Sequence, residues 1–269
     1  MERLFKRILL AFDNSQASLV SLQKACDFAT KFESEITALF VSSSGSDFSD
    51  SKKFLEDFTS SKSIVLHIVE KKGRVYDEVI KLQKKGDFSL TLLGLHGISG
   101  WKPFTVGSSA FNVISSATCP VISVQEDTEY VSLENILLPL ADSESTRDKV
   151  PYCARLAEAF GSTVHVLGVS KNDSTETRSH VGSYIRQTER YLTERGIKYT
   201  VKSNFGVNVP ERLIQYGEEV KAGLMLIMTE TESAGIFIDS YSKQLVNQST
   251  IPVMSVHVRD TRLEGASGY

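Results

Sequence analysis

The chain has 269 residues, 41% hydrophobic and 23% charged, the balance of an ordinary globular protein. A formal net charge of −3 with dispersed Lys and Arg offers no basic face for nucleic acid or a membrane surface, and no apolar run is long enough to span a bilayer. The odd set of Cys26, Cys119 and Cys153, without CxxC spacing, argues against a disulfide framework, and the length suits two modest domains better than one.

Residues 1–7 lead straight into a strand rather than into a signal peptide, so the cytosol is the expected address. In the first half, Arg7-Ile8-Leu9-Leu10-Ala11-Phe12 and the stretches 36–41, 64–69 and 90–93 are strand-like, while 17–32, 54–60 and 76–84 carry helical periodicity. A glycine-punctuated loop follows, then a helical pattern of Ala110, Phe111, Val113, Ile114 and Ala117, and a last strand from Val121. Residues 125–132, acidic and polar, read as a linker. The second half repeats the order, with later strands at 164–169, 199–201 and 224–228 and helices at 147–160, 179–195, 210–220 and 241–247. The tail 259–269 is expected to fray.

Internal repetition decides the architecture. Arg7-Ile8-Leu9-Leu10-Ala11-Phe12-Asp13-Asn14-Ser15 returns as Asn135-Ile136-Leu137-Leu138-Pro139-Leu140-Ala141-Asp142-Ser143, and Cys119-Pro120-Val121-Ile122-Ser123-Val124 returns as Ile251-Pro252-Val253-Met254-Ser255-Val256. Strands alternating with helices imply βαβ units, so each half is expected to be an α/β, doubly wound parallel-sheet domain of flavodoxin size, at 1–125 and 133–258. Near-continuous apolar strands such as Leu224-Met225-Leu226-Ile227-Met228 fit central positions covered on both faces.

The chemistry concentrates in Gly94-Leu95-His96-Gly97, nine residues, then Gly107-Ser108-Ser109. A strand, a glycine loop and a helix in this order offer bare N–H groups at a helix N-terminus, where the macrodipole favours phosphate. Glycines permit positive φ and close ligand approach, and the Ser108 and Ser109 hydroxyls can donate to phosphate oxygens or cap the helix. A glycine-rich turn ending at an ordinary cap is the competing reading.

These residues resemble the universal stress protein family in its tandem two-domain form. The glycine spacing matches the family's ATP-binding variant, and the strand endings Ala11-Phe12-Asp13-Asn14-Ser15 and Leu39-Phe40-Val41 also carry the likeness. The resemblance implies strand order 3-2-1-4-5, with Asp13 and Gly94 side by side at a topological switch point. It implies that Asp13 hydrogen-bonds adenine or ribose, although Asp13 is also placed to cap the following helix. Val41 would pack at the adenine, unless it is only core. Gly94 and Gly97 would bring backbone against ribose and phosphates, and Gly107, Ser108 and Ser109 would supply phosphate donors. ATP is the implied cofactor, with Mg²⁺ a candidate companion on its phosphate oxygens.

The second half departs from the pattern. Thr229, Glu232 and Asp239 stand where the three glycines should be, and Ala141 stands opposite Asp13. Acidic side chains in a phosphate loop repel the ligand, so this half is not expected to bind ATP in the family manner. It is expected instead to complete a pseudo-dimer, as single-domain members of the family commonly pair through their last strands.

The five histidines lack H-x3-H or HExxH spacing, so no metal site is expected; His67 and His165 read as sheet residues and His96 as a ligand candidate. No G-x-S-x-G elbow and no P-loop lysine appear. Trp101 suits a lid, an interface or plain packing equally. The leading expectation is a cytosolic, non-enzymatic stress-response protein that binds an adenine nucleotide and acts by conformation or contact with a protein partner, a second copy included. A slow ATPase or self-phosphorylating enzyme, and an interaction module with a vestigial site, are the alternatives.

Overall fold

The computed structural model describes residues 4–42, 47–95, 113–229 and 239–257. They form two compact units, Met1–Glu129 and Tyr130–Tyr269.

In the first unit β1 (Arg7–Ala11), α1 (Gln16–Phe32), β2 (Glu35–Ser42), α2 (Ser49–Ser60), β3 (Leu66–Lys72), α3 (Val75–Lys85), β4 (Leu90–Gly94) and β5 (Val121–Val124) follow in turn. The strands are all parallel and ordered β3-β2-β1-β4-β5. That is the order expected, and its physical origin is the apolar content of β1 and β4. Ile8, Leu9, Leu10, Leu90 and Leu92 are fully buried, so these strands take the middle. β3 lies at an edge with a half-exposed, polar face.

α1 begins where Ser15, in extended conformation, accepts a hydrogen bond from the Ser18 amide, and it ends at Glu33 in the left-handed region at φ 51°. Its buried face runs through Ala17, Val20, Ser21, Lys24, Ala25 and Phe28. Phe28 meets Phe5 edge-on, with ring centroids 5.3 Å apart. Burial pushes the Lys24 amine down to about 8, opposed by the charge of Asp27.

The second unit runs β6 (Asn135–Leu140), a 3₁₀ turn (Glu144–Arg147), α4 (Val150–Phe160), β7 (Thr163–Ser170), α5 (Thr175–Glu194), β8 (Tyr199–Phe205), α6 (Val209–Glu219), β9 (Leu224–Thr229), α7 (Asp239–Gln248) and β10 (Val253–His257). Its parallel sheet is ordered β10-β9-β6-β7-β8, the same topology as the first.

Several boundaries differ from the sequence expectation. Residues 147–160 are not one helix. Pro151 has no N–H to give and occupies the first turn of α4, so a 3₁₀ turn precedes it. α2 starts earlier than expected because its buried stripe, Ser51, Leu55 and Thr59, is mostly polar. The edge strands β3 and β8 run further, through residues that water covers. His67 and His165 sit in the sheets: His165 Nδ1 lies 2.8 Å from Thr200 Oγ1 and its Nε2 3.0 Å from Asn135 Oδ1. All three cysteines are free and buried. Among the described residues no helix is long and apolar enough to cross a membrane.

Candidate functional site

From β1 the chain moves outward one way to β2, and from β4 the other way to β5. The ends of β1 and β4, paired through Ala11 and Leu93, therefore flank a crevice at the switch point. Asp13 lies two residues beyond β1, and Gly94 closes β4.

The turn after β1 is built to hold Asp13 in place. Its Oδ1 accepts from the Ser15 amide at 3.1 Å and from the Ser15 hydroxyl at 2.6 Å. Ser15 in turn caps α1 by accepting from the Ser18 amide at 3.1 Å. Asp13 therefore backs the cap rather than forming it. Asn14 takes the left-handed conformation at φ 65°, and its side-chain amide donates to the Ser51 hydroxyl on α2.

The other carboxylate oxygen, Asp13 Oδ2, is buried and has no hydrogen-bond partner among the described residues. An acceptor left unpaired out of water costs about 1–3 kcal/mol, more when charged. A donor supplied from outside the chain would recover that cost. Tyr76, at the start of α3, shares this environment. Burial raises its phenol well above the ordinary value, and the Asp13 charge adds to the rise.

Aromatic side chains pack together where β1 and β2 end. Phe12 stacks on Phe54 with centroids 6.4 Å apart and meets Phe40 edge-on at 5.9 Å. Val41 is half-buried near the end of β2, opposite Lys71 of β3.

At Gly94 the structure supplies a reason for glycine that sequence reasoning missed. Its φ is not in the positive region, and a Cβ there would stand 2.9 Å from the Ser18 amide nitrogen and 3.0 Å from Ala17 Cβ. The first turn of α1 lies directly against the end of β4, which brings the positive end of that helix to the crevice. Gly94→Ala is expected to destabilise the first unit by about 1–3 kcal/mol, since backbone must move to admit the methyl group. Denaturant unfolding checks this, and an unchanged transition midpoint would remove the steric account.

Beyond Leu95, whose amide donates to Val124 O at 2.9 Å, the chain passes to Gly97, Gly107, Ser108 and Ser109, with His96 and Trp101. These six lie outside the described residues. The chain returns as a helical turn at 113–116.

Residues 4–125 match the family model described as the universal stress protein family. They belong to that family. A universal stress protein of Methanocaldococcus jannaschii is 24% identical over 144 residues, covering 46% of this chain and 85% of that protein. The crystal structure of a universal stress protein from Archaeoglobus fulgidus is similar with a TM-score of 0.73 at 19% identity, over 96% of this chain and 100% of that one. That of a protein described as a putative universal stress protein from Pseudomonas aeruginosa gives 0.69 at 14% identity, over 94% and 93%. At such identities these two likenesses establish the fold.

Among the described residues, the corresponding crevice of the second unit differs from the one beside Asp13. Ala141 follows β6 where Asp13 follows β1 by one residue more, and its amide donates to Thr146 Oγ1 at 2.9 Å. Both oxygens of the neighbouring Asp142 are engaged with α5, Oδ2 by the Thr177 hydroxyl at 3.0 Å and Oδ1 by His180 Nδ1 at 3.2 Å. Thr229 ends β9 and Asp239 begins α7, while Glu232 lies outside the described residues.

Proposed function

We propose that the first unit binds one adenine nucleotide, ATP foremost, in the crevice between the ends of β1 and β4. The observation that carries this reading is the buried Oδ2 of Asp13 at the switch point, which has no hydrogen-bond partner among the described residues. A ribose hydroxyl or an adenine amino group is a donor of the kind that oxygen lacks. Val41 lies at the same end of the sheet for the base. The series Gly94, Gly97, Gly107, Ser108 and Ser109 supplies main-chain and hydroxyl donors for the phosphates, with Mg²⁺ on the phosphate oxygens.

The protein acts in the cytosol as a nucleotide-dependent binding protein rather than as an enzyme, and its output is a contact with another protein, a second copy included. The second unit takes no ATP, because Ala141 replaces the carboxylate and both oxygens of Asp142 are already spent. Denaturing the purified chain and analysing the released small molecules by mass spectrometry tests the reading. An adenine nucleotide is expected. A chain that releases none and takes up none when ATP is added would refute it.

A further inference from the structure

The second unit holds a buried cation for which the nucleotide reading has no use. Lys149 immediately precedes α4 and is only 3% exposed. Its Nζ donates to Thr146 O at 2.6 Å and to Thr146 Oγ1 at 3.2 Å. An ammonium group has three hydrogens, so one donor remains. No carboxylate forms an ion pair with it among the described residues, and a buried charge without a counter-ion is costly.

Lys149 lines a cavity of about 120 Å³ at the ends of β6 and β9. Its apolar walls include Pro139, Val169, Val209, Leu213, Ile227 and Leu245. The hydroxyls on its lining are largely committed elsewhere. Ser143 and Ser145 pair with each other at 2.9 Å, Ser242 donates to Met228 O at 3.1 Å, and Thr146 Oγ1 accepts from Ala141 and Lys149. The space is thus hydrophobic with one cationic end. That volume is below the roughly 300–1,000 Å³ of sites for drug-sized ligands. Dry cavities of ~150 Å³ admit a benzene-sized molecule.

We propose that the second unit binds a small monocarboxylate with a short hydrocarbon body in this cavity, its carboxylate on the Lys149 ammonium and its hydrocarbon against the apolar walls. One charge is matched by one charge. A dianionic phosphate would bring a second negative charge into a space that offers no second cation. The site is separate from the Asp13 crevice and stands or falls independently of ATP binding.

The electrostatics give the proposal a pH signature. Burial pushes the Lys149 amine down to about 7, opposed by the charge of Asp148. Cys153 lies on α4 with its thiol pushed up to about 12 by burial, so it stays neutral. Burial also raises the Asp148 carboxyl, chiefly against the charge of Arg147. Arg147 is turned to α5, donating to Gln187 Oε1 at 2.5 Å and stacking over Tyr184. Among the described residues, β6, β7, α6, β9 and α7 contribute a single titratable group to the cavity lining, Tyr241. Protonation of Lys149 therefore sets the charge the ligand meets.

Calorimetric titration of the full chain with butyrate tests this, with n-butanol as the uncharged comparison. Butyrate is expected to bind saturably at pH 6, more tightly than n-butanol. If only the protonated lysine binds, affinity should fall about thirty-fold between pH 6 and pH 8.5. Lys149→Met, which keeps length and removes the charge, should abolish butyrate binding while circular dichroism stays that of the wild type. Val209→Phe, which keeps the lysine and fills the cavity, should abolish it as well. The proposal is overturned if butyrate does not bind at pH 6, if its affinity is the same at both pH values, or if a folded Lys149→Met chain still binds it.

Discussion

Gly107→Val is expected to lose ATP binding almost completely while the chain remains folded. If phosphates lie against the main chain at Gly107, a branched side chain occupies the space they need, and no compensating contact is gained. Asp239→Val, at the matching position of the second half, should leave ATP binding unchanged, because no phosphate is expected there. The pair separates a phosphate loop from a glycine that merely turns the chain. Titration calorimetry reads the affinity and circular dichroism reads the fold. A folded Gly107→Val chain that binds ATP at near wild-type affinity would contradict the assignment of this loop.

The second large effect belongs to Asp13. Removing its carboxylate should cost roughly 1.5–3 kcal/mol of binding, about 10- to 150-fold in affinity. The structure also gives Asp13 a local duty, because Oδ1 holds Ser15, and Ser15 caps α1. Asp13→Ala therefore loses some helix stability together with ligand affinity. Asp13→Asn separates the two, since an amide oxygen can still accept from Ser15 while the charge at Oδ2 is gone. The expected result for Asp13→Asn is a near wild-type melting temperature with weakened ATP binding. Unchanged affinity in Asp13→Ala with a lowered melting temperature would reduce Asp13 to a support for the cap.

Much of the fold was legible because hydrophobic period and position agree along this chain. The apolar runs at Ile8–Leu10 and Leu90–Leu93 are central strands, and the repeated opening and closing strands announce two units of one topology. The edges were less legible. β3 continues through Glu70-Lys71-Lys72 and β8 through Lys202-Ser203-Asn204, where one strand neighbour and abundant water make polar residues acceptable. The site was legible where a backbone requirement shows as glycine, and where Asp13 closely follows a strand. It was not legible at Ser15, whose role depends on the turn made by Asn14 in its left-handed conformation.

The two buried lysines mark the same boundary between local and tertiary information. Lys24 falls on the apolar stripe of α1 between Ser21 and Phe28, so its burial carries a signal in the helical period. Lys149 sits in Arg147-Asp148-Lys149, which reads as a charged surface turn. Only the break between the 3₁₀ turn and α4, forced by Pro151, draws its amine back onto Thr146. Gly94 belongs with it. Its glycine answers the approach of α1, a contact between segments far apart in sequence.

The central claim is that one chain carries one adenine-nucleotide site, in the first unit. Titration calorimetry of nucleotide-free protein with ATP tests it most directly. The account predicts one site per chain, lost in Gly107→Val and kept in Asp239→Val. Two equivalent sites per chain, or no saturable binding, would contradict it.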